Sequence, residues 1–348
     1  MHKFAILFCL LLSFTMVHAE IILEKVLICG ICKDIEKATP NTIASIEKLG
    51  AQFLDYQVIL YENNSKDETK NLLKAWAKKN PRVLFLSENV RKKQLIQELG
   101  LKSIPRTVKL ARARNIVLDL AMSRSYEDFK YVIWADLDFT EPWDVANIVD
   151  TILHPEQEWD AVLANGAYDL FALRDDQFPI GFELVGDSYW WRLSEVTDHL
   201  SLDPQGPWKP VYSAFGGLGL YKRESLKGCR YYGTVTRDLE KMMLIWLEKA
   251  KTKDNVCFLN DYQERLKTLT IINLTQKEIG NRDVLDNEIG VRLYNAHGLG
   301  KIVWLSCTRN STLPWTCEHI PLHASMALKG HDKIFINPRL ISNHPLRE

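Results

Sequence analysis

The chain has 348 residues, 46% hydrophobic and 25% charged, a balance that excludes disordered, collagen-like and polytopic membrane classes. Lys plus Arg equals Asp plus Glu at 44 each, so the basic excess that a dedicated nucleic-acid binder uses against phosphates is missing. The length suits one large domain or two modest ones.

His2 and Lys3 precede an apolar run over 4–17 that closes on Val17-His18-Ala19, with small residues where a signal peptidase reads. The expectation is a secretory leader over 1–19 and a mature chain of 20–348, secreted, lumenal or, in a bacterium, periplasmic. The run is shorter than the ~20 residues that span a bilayer as a helix. An uncleaved anchor is the alternative, and no second run of spanning length follows, so no stable membrane span is expected. Beyond the leader stand Cys29, Cys32, Cys229, Cys257, Cys307 and Cys317, an even number compatible with an oxidising compartment. Cys29 and Cys32 form a C-x-x-C inside an apolar run and read as buried strand residues rather than a redox pair. Cys307 and Cys317 flank a short polar loop, where a local disulfide is one option. Asn63, Asn273 and Asn310 open N-x-S/T sequons.

From residue 26 onward short apolar runs alternate with amphipathic stretches, the pattern of β-α units feeding a largely parallel sheet. Strands are expected over 26–32, 56–61, 83–87 and 131–135, and helices over 42–49, 66–78, 109–121 and 143–153. After about 155 the sequence turns irregular and aromatic-rich, with Tyr189-Trp190-Trp191 and Trp208. A Gly-rich strand over 215–221 follows, then strands over 302–306 and 333–337. With no linker in view, a nucleotide-binding first half and a more variable second half sharing one sheet is the economical arrangement.

Three motifs carry chemistry. Tyr131-Val132-Ile133-Trp134-Ala135-Asp136-Leu137-Asp138 is an apolar strand ending in two carboxylates. Such a pair suits a hard divalent cation that keeps waters and substrate phosphates in its shell. Glu62-Asn63-Asn64-Ser65-Lys66-Asp67 also follows an apolar strand. It reads as a polar turn with a helix cap, and as polar groups facing the ligand crevice of a parallel sheet. Arg112-Ala113-Arg114-Asn115 lies on a helix leading to the aspartates, where arginines either pair with diphosphate oxygens or lie along the helix surface. Gly216-Gly217-Leu218-Gly219 lacks the spacing of a dinucleotide fingerprint.

In this order, E-N-N-S-x-D, R-x-R-N, D-x-D and G-G-x-G, the motifs resemble those of the GT-A nucleotide-sugar glycosyltransferases. Tyr168-Asp169-Leu170-Phe171-Ala172-Leu173-Arg174, Cys317-Glu318-His319 and Ile336-Asn337-Pro338 are more narrowly similar to the fungal capsule-associated mannosyltransferase-like group and its bacterial relatives. The resemblance covers about 24–340. It implies an α/β fold of GT-A type, one domain on a mostly parallel sheet, with a nucleotide-sugar half over about 24–150 and an acceptor half over 151–340. Asp136 and Asp138 would hold Mn2+ or Mg2+, with His323, taken ahead of His319, as a further ligand. Glu62 and Asp67 would lie near the nucleoside, and Arg114 and Asp136 near the diphosphate. Trp190, Trp191, Asp169 and Arg174 would serve the acceptor, with Asp169 and Arg174 alternatively locking their loop by pairing with each other. No acidic residue is plainly marked as a base. Glu318, Asp187, Asp169 and Glu183 are all open to the role, Glu318 and Asp187 foremost. The implied reaction moves a hexose from GDP-mannose or a UDP-sugar to a glycan or glycosylated acceptor. A metal-dependent phosphoester hydrolase and a non-catalytic carbohydrate-binding protein are the rivals.

Overall fold

The computed structural model describes residues 21–99, 105–154, 156–185, 188–192, 202–250, 252–254, 256–268, 291–294, 302–305 and 316–341. The leader, Asp187, Cys307, Asn273 and Asn310 lie outside the described residues.

Among the described residues ten strands follow in chain order: β1 (Ile22–Cys32), β2 (Phe53–Asn63), β3 (Val83–Glu88), β4 (Tyr131–Asp136), β5 (Ala161–Asn165), β6 (Lys209–Pro210), β7 (Leu218–Lys222), β8 (Val291–Tyr294), β9 (Ile302–Leu305) and β10 (Ile334–Ile341). Eight of them form one sheet in the order β3-β2-β1-β4-β7-β5-β10-β6, and β8 pairs with β9 separately. Within the large sheet β3, β2, β1, β4, β5 and β10 run parallel, while β7 and β6 run against them. From Val26 onward β1 is a continuous apolar run with Val26, Leu27, Ile28 and Cys29 fully buried, as a central parallel strand covered on both faces requires.

Side-chain alternation sends Leu27, Cys29, Ile59, Val132 and Trp134 to one face. Val26, Ile28, Val58, Leu60, Ile133 and Ala135 go to the other. The second face is covered by α1 (Thr39–Gly50), α2 (Thr69–Lys79) and, after the short α3 (Lys92–Leu99) and the long α4 (Arg106–Ala121), by α5 (Val145–Leu153). Ala111, Ala113, Val117 and Leu118 of α4 cover the first face, joined by a helix over His319–Leu328. Small residues on α4's inner face let it sit close to the strands.

Most expected elements are present, and the differences have local causes. The helix expected from 66 starts at Thr69, because 62–67 is occupied by a hydrogen-bonded turn in which the Ser65 N–H donates to Glu62. The Gly-rich strand expected from 215 starts at Leu218, since Gly216 and Gly217 turn the chain at φ of 62° and 84°. A Cβ on Gly216 would stand 2.3 Å from the Ala164 carbonyl oxygen, so only glycine fits that approach. β5 and the helices Arg237–Ala250 and His319–Leu328 emerge from sequence that reads as irregular.

Cys29, Cys32, Cys229 and Cys317 are free thiols. Burial pushes the Cys29 thiol up, and burial followed by the Glu62, Asp67 and Asp138 charges does the same to Cys32. Neither is a reactive thiolate, as expected of strand residues.

Candidate active site

Neighbouring strands lie on both sides of β1, β2 on one side and β4 on the other. The crevice of an open parallel sheet forms at such a reversal, at the strands' carboxyl ends. The register sets Asp136 beside Ile31 and Glu62 beside Cys32, so the two sequence motifs flank the end of β1. The Asp136 N–H donates to the Gly217 carbonyl at 2.8 Å, which ties the glycine turn to the same edge.

Glu62 is fully buried. Its Oε1 accepts the Ser65 N–H at 2.6 Å, its Oε2 accepts the Ser87 hydroxyl at 2.5 Å, and Lys70 Nζ lies 3.8 Å away. It therefore organises the β2 turn from within. Asp67 accepts the N–H of Glu36 at 3.0 Å and that of Thr69 at 3.1 Å, joining the β1 and β2 loops at the start of α2. Partial burial pushes its carboxyl up, but the Thr69 hydroxyl and these N–H groups outweigh this and hold it below the usual range.

Arg114 points from α4 to the sheet and is only 4% exposed. Its guanidinium lies 4.8 Å from the Phe215 ring centre, 5.6 Å from Trp134 and 5.8 Å from Tyr231. Nη2 donates to Asp136 Oδ1 at 3.2 Å and Nε to Glu318 Oε1 at 3.1 Å. Burial opposes the charge, yet the Asp136 and Glu318 carboxylates more than restore it. Nη1 has no hydrogen-bond partner among the described residues. Arg112, two residues earlier, leaves the site and binds Glu88, Glu98 and Tyr61. Burial, then the Asp136 and Glu318 charges, raises the partly buried Asp169 carboxyl well above the carboxylate range, against the pull of Arg114 and Arg106.

His319 and His323 lie one turn apart on the C-terminal helix with ring centres 6.2 Å apart. His323, expected to reach the metal, is instead spent on the core. Its Nδ1 bonds the Ser213 hydroxyl at 2.9 Å and its Nε2 the Tyr221 hydroxyl at 3.0 Å. Tyr221 pairs with Val132, at the opposite end of β4 from Asp136. His319 is the histidine on the Arg114 side, stacked on Phe215 at 3.9 Å, and neither of its ring nitrogens has a hydrogen-bond partner among the described residues.

Arg174 locks its own loop, but its partner is Glu183 in place of the expected alternative, a pairing with Asp169. It is fully buried, with Nε donating to Glu183 Oε1 at 2.9 Å and Nη2 to Glu183 Oε2 at 2.5 Å. The same fork pins Glu183, so neither is exposed to an acceptor. Gly181 makes room, since a Cβ there would meet Arg174 Nη2 at 1.8 Å. Trp190 is 43% exposed and packs on Phe171 and Phe182; the side chain of Trp191 lies outside the described residues. Asp169 lines a cleft with Asn165, Gly166, Phe215 and Gly216. Trp134 and Phe215, which frame Arg114, carry no mark of their own in the sequence. For Trp134 the two-residue strand period, which gives it the face of Asp136, was the available signal.

Among the described residues no three His, Cys, Asp or Glu side chains form a metal-binding group, and no helix is long and apolar enough to cross a membrane. The donor set is two aspartates, Asp136 with 24% of its side chain exposed and Asp138 half-buried. This fits a hard cation completing its shell with water and phosphate, not a closed protein cage.

No family model and no curated protein matches the sequence. Solved structures do align. The mannosyltransferase PcManGT from Pyrobaculum calidifontis, in complex with GDP-Man and Mn2+, matches 64% of this chain and 53% of its own at 16% identity and a TM-score of 0.37. S. aureus TarS 1-349 matches 65% and 55% at 10% identity and 0.33. Glucosyl-3-phosphoglycerate synthase from Mycobacterium tuberculosis, with Mn2+, UDP and phosphoglyceric acid, matches 67% and 66% at 13% identity and 0.34. This chain thus spans about half the length of the first two. At these TM-scores the likeness decides nothing about its chemistry.

Proposed function

We propose that the chain is a metal-dependent glycosyltransferase of GT-A type that moves a hexose from a nucleoside diphosphate sugar, GDP-mannose or a UDP-sugar, to a glycan or glycosylated acceptor. One observation carries the reading. Asp136 closes a buried strand beside the strand-order reversal, with Asp138 two residues on and the Arg114 cation bonded to Asp136 at 3.2 Å. Carboxylates and a permanent cation at a ligand crevice match a divalent ion and a diphosphate.

Asp136 and Asp138 are the residues that would hold Mn2+ or Mg2+, which when bound offsets the charge developing on a leaving diphosphate. Arg114 supplies a fixed positive charge at that edge, already oriented and shielded from water by aromatic rings, so little reorganisation is needed as charge develops. Asp67 and Glu62 shape the β1 and β2 loops on the nucleoside side. On the far side, Asp169 presents a carboxyl at the cleft wall, where an acceptor hydroxyl can hydrogen-bond to it. The secretory or lumenal location belongs to the same proposal and rests on the apolar run over 4–17 alone.

The full chain, incubated with Mn2+ and a panel of GDP- and UDP-sugars, tests the reading. Nucleoside diphosphate release that needs Mn2+ and quickens with a glycan acceptor is the expected outcome. Phosphate release from simple esters without an acceptor points to the hydrolase instead, and sugar binding indifferent to metal and nucleotide points to a lectin.

A further inference from the structure

Glu318, one of the two foremost candidate bases, is turned inward. Its side chain is 5% exposed. Oε1 accepts from Arg114 Nε at 3.1 Å and stands 3.8 Å from His319 Nε2, while Oε2 faces the Cys317 thiol at 3.9 Å. A base must come within hydrogen-bond reach of the hydroxyl it deprotonates, and this carboxylate is committed to interior groups.

Arg114 uses one edge of its guanidinium for two different carboxylates: Nε serves Glu318 and Nη2 serves Asp136. Nε and Nη2 form the pair that a single carboxylate would otherwise take bidentately. With Glu318 holding Nε, the arginine offers Asp136 a single bond. Without that acceptor, the whole edge is available to Asp136. The aromatic rings on its faces and the burial of Nη1 leave the guanidinium few other ways to turn.

We infer that Glu318 is a positioning residue, which by holding Arg114 through Nε keeps Asp136 oriented and sufficiently negative to take a divalent cation, and does not itself touch the acceptor. The inference rests on the metal-dependent reading above. It assigns the Arg114–Glu318 pair the setting of metal affinity at the aspartates.

Mn2+ binding to the full chain, read from the electron paramagnetic resonance of free Mn2+ in the presence of GDP or UDP, tests it. Glu318→Gln, which removes the charge and leaves only a weaker, neutral acceptor for Arg114 Nε, should weaken Mn2+ binding by at least about tenfold. Glu318→Asp, which keeps the charge, should recover most of the loss, and saturating Mn2+ should return Glu318→Gln turnover to within a few-fold of the parent. Parental Mn2+ affinity in Glu318→Gln, with turnover lost at every Mn2+ concentration, overturns the inference and restores Glu318 as a base. Should Glu318→Gln not fold, Arg114→Lys removes the Nε contact while keeping the positive charge. It must weaken Mn2+ binding too, and unchanged affinity overturns the inference. A parent chain that binds no Mn2+ with either nucleotide removes the glycosyltransferase reading, and this inference with it.

Discussion

Arg114 and Glu318, 204 residues apart in sequence, meet at 3.1 Å in the interior, and the same guanidinium reaches Asp136 at 3.2 Å. One cation thereby joins α4, the end of β4 and the start of the C-terminal helix. Removing one partner of a buried charge cluster leaves the others uncompensated, at about 3–5 kcal/mol. Arg114→Ala should lose that much in denaturant unfolding, and Arg114→Lys appreciably less. A loss within about 0.5 kcal/mol, typical of surface substitutions, would show that the cluster holds nothing together.

Arg174 and Glu183 form the second buried pair, bidentate and fully enclosed. Glu183→Ala should likewise cost about 3–5 kcal/mol of unfolding free energy. Gly181→Ala should destabilise as well, since the added methyl meets the guanidinium and the fork has to move. Stable variants that changed only acceptor KM would return Arg174 to the acceptor site.

The two buried histidines set the acid limb of stability. Burial pushes His323 down to about 3, and burial, the Arg114 charge and His323 push His319 down as well. An unfolded histidine titrates near ~6.5, so below that pH the unfolded chain binds more protons and stability falls with the pH. Between pH 6.5 and 5 this costs about 1.6 kcal/mol at His323, and His319 acts in the same direction. Unfolding curves over this window should show the decline, and His323→Asn should flatten it while lowering stability at pH 7. An unchanged slope in that variant would exclude His323 as a cause.

Asp169 works in the opposite direction. Burial and the charges of Asp136 and Glu318 raise its folded titration, so stability is lost as pH rises from the unfolded value of ~3.9. Asp169→Asn in metal-free protein should gain about 1 kcal/mol at pH 7, an ordinary size for one substitution, with the gain vanishing below about pH 3.9. A gain that persists in acid would have another origin.

The first half was legible because β1, β2 and β4 carry apolar runs buried on both faces and bounded by polar turns, and the edge strand β3 repeats the apolar run: all four lie within a few residues of their expected ends, and Asp136 falls on the strand terminus its motif announces. β5 was not. Ala161–Asn165 is five residues without alternation, set among aromatics, and becomes a strand only through pairing with β7 and β10. Partner choice among polar residues was the hardest to see. Glu318, His323 and Arg174 have the residue types of catalysis, and only the long-range contacts to Arg114, Tyr221 and Glu183 reveal interior roles. Burial, set by distant packing, divides such pairs from solvent-facing ones.

The central claim is that Asp136 and Asp138 bind a divalent ion together with a nucleoside diphosphate. Calorimetric titration of GDP and UDP into the full chain, with and without Mn2+, compares the parent with Asp136→Asn and Asp138→Asn. The account predicts that the parent binds one of the nucleotides only with Mn2+, and that each variant keeps its fold by circular dichroism while losing at least about 100-fold in that affinity, roughly 2.7 kcal/mol. Parental, metal-dependent affinity in both variants would contradict it.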